Sequence, residues 1–522
     1  MSMDDASVPL ARDESVALAD DEQLLKEMGY EQQLPRILRF WTNWAVGFAF
    51  ISPIVGLYTV VALNATTAGP AWVWTVPIVL AGQALVALCY TQLAARWPVA
   101  GGIYQWSRRL IGPKFGWWAG WIYTWALIVT LALVAYAGGG FLAELVGVSS
   151  PTTGQHILFA LIVMACFTTV NVIGLQMLRF TVNIGIACEL VASVGVGIAL
   201  ILGFRHQSPH ILVDTSLVPS GTHFGSAFIA ALAVAGWVLL GFDACGALAE
   251  ETRDAVRKVP RAIILSIISV GIVDIIAAIG LMLATPDIGA VISGRVPDPV
   301  SSAVTSAFGG WAQKPFLAIV VTSFIACGIA VQGATVRVVY SYSRDGMLPL
   351  SRIWAAVSER NSTPVYAVLL VAVLSSLAFL YANVLSVLTG LATGGYYLGF
   401  AFPIVGFLYA RARNRWTPGS TWRFNRLGLV LNIAALAWLT GEFINIAWPR
   451  ATSLPWYQNW AVELGVGIIA LIGGVYFAVT RPDRKFGLEL ESPPALTSDR
   501  AAGSDPDHHS AIPTIDTNIR TH

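Results

Sequence analysis

The sequence predicts an all-α integral membrane protein with about twelve transmembrane helices, and three observations support this fold class. First, 56% of the 522 residues are hydrophobic and only 12% are charged, whereas soluble domains are roughly 45–50% apolar and about 25% charged. Second, apolar stretches near the roughly 17–25 residues needed to cross a bilayer recur along the chain. Third, helix-breaking residues interrupt two of these stretches. These features favour a helical bundle in lipid that contains two broken helices.

The apolar stretches follow one another between residues 41 and 480. Numbered as spans 1 to 12, they cover residues 41–63, 73–95, 116–146, 156–175, 180–203, 225–250, 261–284, 315–341, 364–381, 385–410, 427–448 and 460–480. Span 3 is long enough to be tilted or divided. Spans 9 and 10 are separated by almost no polar sequence, so their boundary is open.

Basic residues in the loops predict the orientation of the chain. With the amino terminus inside, the inner loops hold roughly four times as many Lys and Arg residues as the outer loops, and the bias alternates from loop to loop. The outer loops carry only Arg205, Arg295, Lys314 and Arg450. We therefore expect a multi-pass protein of the plasma membrane with both termini in the cytoplasm.

Span 1 is interrupted in the stretch Ile51-Ser-Pro-Ile-Val-Gly56. Pro53 removes a backbone donor and clashes with the preceding turn, and Gly56 relaxes the chain. The break should expose backbone N–H groups of Ile54, Val55 and Gly56. A half-helix amino terminus carries partial positive charge and suits a carboxylate, to which the hydroxyl of Ser52 could also bind. The alternative is a purely structural kink.

Span 6 is interrupted by Gly241, Phe242, Asp243 and Gly246. A carboxylate at membrane depth costs roughly 2.5–3.5 kcal/mol on insertion scales, so it usually faces protein or a water-filled cavity. Unwound backbone in a membrane is tolerated only where it lines a cavity or is buried in protein. An acid at a helix break is typical of a transporter's substrate site. Asp243 could bind an ammonium group or a proton, or could cap the following half-helix.

The two breaks lie five spans apart, so the broken segments cross the membrane in opposite directions. This pattern predicts two inverted five-helix repeats with a binding site at their interface. The prediction depends on the breaks and the span count, because no residue-level repeat is evident.

Four motifs give the chain its resemblance to a known family. They are L-x-x-x-G-Y-x-x-x-L-x-R at residues 25–36, P-x-A-G-G-x-Y-x-W at residues 98–106, G-F-D-A followed by L-x-E-E-T at residues 241–252, and S-R-D-G-x-x-P at residues 343–349. The chain thereby resembles the amino acid–polyamine–organocation superfamily of permeases. It looks most like the amino acid/choline branch, which includes GABA, choline and amine permeases.

The resemblance implies a LeuT-like fold and a division of the chain into four regions. Residues 1–40 would be a cytoplasmic segment, disordered to about residue 20 and then a short surface helix. Residues 41–411 would form a ten-helix transporter core in two inverted repeats, and residues 412–480 would form two peripheral helices. Residues 481–522 are polar and rich in Pro, Ser and Asp, which predicts a disordered cytoplasmic tail.

The resemblance also implies a substrate site at mid-membrane between spans 1, 3, 6, 8 and 10. Trp237, Phe242 and Asp243 of span 6 would face it, and Tyr396 of span 10 is a further candidate. Aromatic faces attract cations by roughly 0.5–2 kcal/mol and can close over a bound substrate. The alternative for each aromatic residue is core or lipid packing.

Two further acids lie inside predicted spans. Glu189 is in the middle of span 5, where several proton-coupled relatives have a lysine, so the lysine mechanism cannot be carried over. Glu189 could load and release a proton, or could be a fixed countercharge for a cationic substrate. Asp274 of span 7 belongs to no motif, and a structural hydrogen bond is the favoured interpretation.

These observations predict a secondary active transporter for a small amino acid or amine such as GABA, working by proton symport or exchange with alternating access. Alternatives are a choline, quaternary-amine or polyamine transporter, a sodium-coupled symporter, or a solute-binding membrane sensor. No metal cluster, nucleophile–base motif or phosphate loop favours an enzyme, and no cofactor is expected. The net charge of +1 gives no case for nucleic acid. The oligomeric state stays open.

Overall fold

The computed structural model describes residues 12–148, 150–219, 221–296, 298–358, 363–381, 385–419, 421–450 and 455–484. Within these residues, ten helices are long and apolar enough to cross a membrane, and two shorter apolar helices cover Phe224–Ala235 and Val365–Leu380. The shorter two correspond to predicted spans 6 and 9. The predicted all-α multi-pass fold is confirmed.

The observed helices follow the predicted spans closely. They are Phe40–Ile51 and Pro53–Tyr58 (span 1), Thr75–Arg96 (span 2), Pro113–Leu145 (span 3), Thr153–Ile173 (span 4), Leu175–Glu189 and Val196–Gly203 joined by a π-helical turn at Leu190–Gly195 (span 5), Phe224–Ala235 and Ala244–Ala247 (span 6), Ala255–Ala284 (span 7), Gln313–Arg344 (span 8), Val365–Leu377 (span 9), Leu385–Ala412 (span 10), Asn425–Ala447 (span 11) and Ala461–Thr480 (span 12).

Shorter helices lie between these spans or precede them. They cover Arg12–Glu27, Val61–Ala68, Gly102–Leu110, Ile288–Ile292, Pro299–Phe308, Ser351–Trp354 and Trp456–Asn459. Short 3₁₀ helices add Pro70–Trp74, Pro209–Val213, Ala249–Glu251, Gly310–Ala312, Ala378–Tyr381 and Pro482–Arg484.

Span 3 is one continuous helix of 33 residues. At 1.5 Å per residue it is about 50 Å long, which exceeds the roughly 30 Å hydrocarbon core. It is therefore undivided, and it extends beyond the hydrocarbon or tilts within it. Spans 1, 3 and 8 are the most enclosed by protein, with 78%, 72% and 78% of their apolar windows buried, whereas spans 11 and 12 have 28% and 11%. Spans 1, 3 and 8 thus form the centre of the bundle.

The helix Arg12–Glu27 begins earlier than expected. Disorder was predicted up to about residue 20, and this is wrong for residues 12–20; residues 1–11 lie outside the described part of the chain. The segment is rich in Ala, Leu and Glu, which are good helix formers. Within this helix, Asp21 accepts hydrogen bonds from the backbone N–H groups of Asp254 (2.7 Å) and Ala255 (3.2 Å), so the helix is held to the start of span 7.

The two broken spans touch each other at glycines. A Cβ at Gly56 would lie 2.8 Å from the carbonyl oxygen of Val238, and a Cβ at Gly241 would lie 2.0 Å from the ring of Phe50. Gly241 also has a φ of +101°, a conformation that side-chain-bearing residues rarely adopt. The glycines therefore let the break of span 6 pack directly on span 1.

Candidate functional site

The break in span 6 places an acid inside the bundle. The first half-helix ends at Ala235, the backbone turns at Gly241, and a short helical segment begins at Ala244. Asp243 lies between the two halves and is only 4% exposed. It stands at the first position before Ala244–Ala247, but its side chain accepts no backbone hydrogen bond there. The predicted alternative of a capping role is therefore wrong.

The two carboxylate oxygens of Asp243 have different surroundings. Oδ2 accepts a hydrogen bond from the hydroxyl of Tyr123 in span 3. Oδ1 is buried and has no hydrogen-bond partner in the described part of the protein. A buried carboxylate oxygen without a donor costs free energy, which a positively charged ligand would recover. The arrangement leaves one acceptor position available for a cation.

Five aromatic side chains surround this acid and are called here the aromatic cluster: Tyr90, Tyr123, Phe242, Tyr396 and Phe400. Phe400 lies at the centre, with ring centroids 5.5 Å from Tyr90, 5.2 Å from Phe242, 5.4 Å from Tyr396 and 6.3 Å from Tyr123. All five side chains are nearly or fully buried. Spans 2, 3, 6 and 10 therefore contribute to one aromatic site beside Asp243.

The charge of this region is negative. No lysine or arginine occurs in the membrane parts of spans 1, 3, 5, 6, 8 and 10. These parts are residues 40–63, 115–145, 180–203, 224–249, 315–336 and 385–410. The acids in these stretches are Glu144, near the end of span 3, Glu189 and Asp243. A carboxylate beside aromatic faces attracts cations both by charge and by the ring quadrupole. The chemistry of the site therefore suits an ammonium group.

The break in span 1 is formed at Ser52, which has a φ of +48°. Here the structure differs from the expected site for a substrate carboxylate. Ile54 donates its backbone N–H to Oε2 of Glu189 at 2.9 Å, and the Ser52 hydroxyl donates to Oε1 of the same acid. Val55 donates to the Ser52 hydroxyl at 3.2 Å, and Gly56 donates to the Ser52 carbonyl at 2.8 Å.

The expectation that these N–H groups are exposed therefore fails in this conformation. The carboxylate of Glu189 takes the donors that were assigned to the solute. The predicted solute carboxylate and the observed Glu189 carboxylate would bind here for the same reason, because a half-helix amino terminus attracts any nearby anion. A solute carboxylate could bind at this break only by displacing Glu189.

The structure brings together most, but not all, of the candidate residues. Phe242, Asp243 and Tyr396 meet in and around the aromatic cluster, and Ser52, Ile54 and Glu189 meet at the other break. Trp237 is buried beside the span 6 break, but among the described residues it makes no ring contact with the aromatic cluster. Its indole N–H has no hydrogen-bond partner there either.

Three members of the aromatic cluster are absent from the site predicted above, namely Tyr90, Tyr123 and Phe400. Tyr90 of span 2 stands alone in an apolar stretch and carries no sequence signal. Phe400 follows Tyr396 by four residues in span 10, so both lie on one helix face. That spacing could have identified Phe400 once Tyr396 was chosen.

One end of the bundle is closed beneath the site by ion pairs. This is the end at which the helix Arg12–Glu27 lies, and it is called the amino-terminal side. Arg337 of span 8 pairs with Glu251 at 2.7 Å, and Arg344 pairs with Glu250 at 2.9 Å. Each links span 8 to the segment after the span 6 break.

A second network on the same side centres on Asp345, which is fully buried. It accepts hydrogen bonds from the hydroxyls of Tyr104 (2.6 Å) and Tyr30 (3.0 Å), and it pairs with Arg108. Burial and the neighbouring Asp345 carboxylate raise the pKa of Tyr30, so its hydroxyl remains a neutral donor. The segment before span 1, the Gly102–Leu110 helix and span 8 are thereby joined.

Comparison with known proteins agrees with this architecture. The family model described as "Amino acid permease" matches residues 42–472. Amino-acid permease BAT1 of Arabidopsis thaliana is 28% identical over 485 residues, which cover 84% of this chain and 90% of that protein. The thiamine transporter thi9 of Schizosaccharomyces pombe is 25% identical over 415 residues, covering 70% of this chain and 69% of that protein.

A putative polyamine transporter of Candida albicans is 24% identical over 509 residues, covering 88% of this chain and 87% of that protein. The matched residues of the family model include both helix breaks, Glu189 and the aromatic cluster. Because that match runs from span 1 into span 12, the chain belongs to the amino acid permease family of the amino acid–polyamine–organocation superfamily.

Proposed function

We propose that this permease is a secondary transporter for a small solute with a cationic nitrogen, and that Asp243 and the aromatic cluster bind that nitrogen. The observation that carries the proposal is Oδ1 of Asp243, which is buried and lacks a donor in the described part of the protein, next to the packed rings of the aromatic cluster. An ammonium group would supply the missing partner. Two relatives support this proposal, since one is named as a thiamine transporter and another as a putative polyamine transporter, and both solutes are cationic.

The charge balance between the two breaks favours a solute with net positive charge. Asp243 lies at one break and Glu189 at the other, and Glu189 already uses the donors of the half-helix Pro53–Tyr58. An added cation neutralises a negative site, whereas a zwitterion brings a second carboxylate that must compete with Glu189. Amines and diamines are therefore the first candidates.

GABA and other amino acids are the second candidates, and the half-helix amino terminus favours them. If Glu189 takes up a proton or moves away, Ile54 N–H and the Ser52 hydroxyl become available for a solute carboxylate. The solute would then bridge the two breaks, with its amine at Asp243. This is the arrangement expected from the sequence.

Transport would proceed by alternating access between the two sides of the membrane. In the conformation described here, the ion pairs of Glu250, Glu251 and Asp345 hold the amino-terminal side closed. Release of the solute on that side requires these pairs to separate. We propose that the amino-terminal side faces the cytoplasm, in agreement with the distribution of basic loop residues.

The test is uptake of radiolabelled solutes into liposomes that contain the purified protein, with an inward proton gradient and no sodium. The solutes are putrescine, choline, thiamine and GABA, each assayed with the parent and with Asp243→Asn. We expect saturable uptake of at least one cationic amine, and at least a tenfold fall in Asp243→Asn. Interactions with a charged group are worth about 1.5–3 kcal/mol, and about 1.4 kcal/mol corresponds to tenfold.

Asp287→Asn is the matched control, because Asp287 caps the Ile288–Ile292 helix away from the site and asparagine caps equally well. Its uptake should equal that of the parent. Preferential uptake of GABA would move the solute class to amino acids, and loss of uptake without sodium would indicate sodium coupling. Folded parent protein that moves none of these solutes, with or without sodium, would count against the proposal.

A further inference from the structure

A third intramembrane acid has no role in the site described so far. Asp274 lies in the middle of span 7 and is fully buried. Neither of its carboxylate oxygens has a hydrogen-bond partner in the described part of the protein. The sequence favoured a structural hydrogen bond for this residue, and that interpretation is wrong. An acid that packs against protein without a donor is costly to ionise.

The surroundings of Asp274 contain acids and hydroxyls. Span 7 packs against both halves of span 1, against span 2 and against the π-helical turn Leu190–Gly195 of span 5. The titratable groups that act on Asp274 or share its surroundings include Glu189 of span 5, Tyr58 of span 1 and Asp298 at the start of the Pro299–Phe308 helix, which also packs against span 7. The hydroxyl of Tyr58 donates to the carbonyl of Ala192 at 3.1 Å, and the buried hydroxyl of Ser193 has no partner among the described residues.

Basic residues are absent from the membrane sequence of all these elements. Residues 40–63, 75–95, 180–203 and 262–284 contain no lysine, arginine or histidine. In the facing half of span 2, residues 75–88, there is no titratable side chain of any kind. No basic side chain from these elements therefore compensates an ionised Asp274, and the nearby Glu189 would repel it.

Glu189 and Asp274 thus form a pair of acids in opposite environments. Glu189 accepts hydrogen bonds from the Ser52 hydroxyl and from the Ile54 N–H at the start of a half-helix, and both donors stabilise its anionic form. Asp274 has no donor, so its neutral form is favoured. Two acids whose environments differ in this way divide into a fixed charge and a proton carrier.

We propose that Asp274 is the site that binds the coupling proton of this transporter, with Glu189 as the fixed charge beside it. The inference rests on the proposed transport function. In the conformation described here the carboxyl group of Asp274 keeps its proton. When the half-helix Pro53–Tyr58 moves away from span 7, water reaches Asp274, its O–H bond breaks, and the proton passes to water as the carboxylate forms.

The experiment compares the parent, Asp274→Asn and Asp274→Glu in liposomes, using whichever labelled amine the parent accumulates. Asparagine imitates the protonated acid but cannot release a proton. We expect the rate at which Asp274→Asn exchanges labelled for unlabelled amine to stay within about threefold of the parent rate. The accumulation of amine driven by an inward proton gradient should fall at least tenfold in this variant. Proton entry that accompanies the amine, followed with a trapped pH-sensitive dye, should disappear. Asp274→Glu should restore part of both signals.

Glu189→Gln and Asp287→Asn complete the set. Asp287→Asn should behave as the parent in every assay. Proton-driven accumulation that persists in Asp274→Asn overturns the proposal. The proposal is also overturned if proton entry is lost in Glu189→Gln but retained in Asp274→Asn.

A second measurement separates this inference from the proposed function. Infrared spectra of the purified protein at neutral pH should contain the carbonyl band of a protonated carboxylic acid, and that band should be missing in Asp274→Asn. The measurement needs no substrate, so it remains decisive if the parent transports none of the amines tried. An unchanged band in Asp274→Asn would show that Asp274 is ionised and would exclude the proposal.

Discussion

At the scale of single residues, the site depends on which oxygen atoms have a donor. Asp243 has one oxygen bonded to Tyr123 and one without a partner in the described part of the chain, whereas both oxygens of Glu189 are occupied. The same functional group, a carboxyl, can therefore suit a cation, anchor a helix break or favour a bound proton. The neighbouring donors, not the carboxylate itself, decide among these roles.

Tyr123→Phe should weaken solute binding by removing the donor to Asp243 while leaving its ring in the aromatic cluster. A hydrogen bond to a charged group is worth about 1.5–3 kcal/mol, so we expect KM for the transported amine to rise about tenfold or more. The measurement is the concentration dependence of uptake into liposomes.

Tyr397→Phe is the matched control for this substitution. Tyr397 is equally buried and lies next to Tyr396, but its hydroxyl has no partner among the described residues. Its removal should leave KM unchanged. Equal effects of the two substitutions would mean that the hydrogen bond to Asp243 has no part in binding.

At the scale of elements, function depends on two helices that are broken and packed on each other. The break of span 1 turns backbone and hydroxyl donors of Ser52 and Ile54 toward Glu189, and the break of span 6 places Asp243 inside the bundle. Both breaks need glycine where the two spans approach within contact distance. Unwound backbone at membrane depth is stable here because protein surrounds it.

Gly241→Ala should destabilise the fold at the point where the spans touch. The positive φ costs an alanine about 1–2 kcal/mol, and the added methyl group would overlap the Phe50 ring, for which overpacking costs about 1–3 kcal/mol. We expect a lower Tm in detergent, followed by tryptophan fluorescence, and reduced uptake.

Gly225→Ala tests whether the effect belongs to the contact. Gly225 lies in the first half-helix of the same span, has helical backbone, and a Cβ at this position would meet no atom within 4 Å. Alanine should leave Tm unchanged or raise it slightly, because it reduces the entropy of the unfolded chain. A Gly241→Ala protein as stable as Gly225→Ala would contradict the close packing of the two breaks.

At the scale of the whole molecule, the networks on the amino-terminal side hold several elements in one conformation. Asp345, at the end of span 8, binds Tyr30 of the segment before span 1. It also binds Tyr104 and Arg108 of the Gly102–Leu110 helix, which follows span 2. Removing one partner of a buried ion pair destabilises a protein by about 3–5 kcal/mol, because the other charge stays buried without compensation. Such contacts must separate and re-form once in each transport cycle if that side opens.

Asp345→Asn should shift the protein toward a conformation open on the amino-terminal side. Cys245, which is fully buried against Gly47 of span 1, reports this opening. The background is a variant whose other four cysteines are alanine. In it, we expect a membrane-impermeant maleimide to label Cys245 at least tenfold faster after Asp345→Asn. A loss of about 1.4 kcal/mol in the stability of the closed conformation is enough for a tenfold change.

The matched control is Asp254→Asn on the same side of the bundle. Asp254 has a φ of +52°, which asparagine tolerates well, and its side chain takes no part in the Asp345 network. Its labelling rate should equal that of the parent. Slow labelling in both variants would show that the Asp345 network does not control access to Cys245.

The sequence predicted the helices well because each span is long and apolar, and its ends are marked by polar or breaking residues. Ser52, Phe242 and Asp243 could be identified in the same way, since an acid or a Ser-Pro pair inside an apolar run has few structural explanations. The helix at residues 12–20 was missed because its acidic composition resembles that of a disordered tail, although its residue types favour a helix.

The sequence by itself determined the membrane class, the succession of spans, the two breaks and the presence of three acids at membrane depth. These properties depend on local composition and spacing, which the chain carries residue by residue. Only the tertiary structure decided that Glu189 occupies the donors of span 1, that Tyr90 and Phe400 join Asp243, and that Asp274 has no donor in the described residues. These relations join residues on different spans, and packing alone brings such residues within hydrogen-bonding distance.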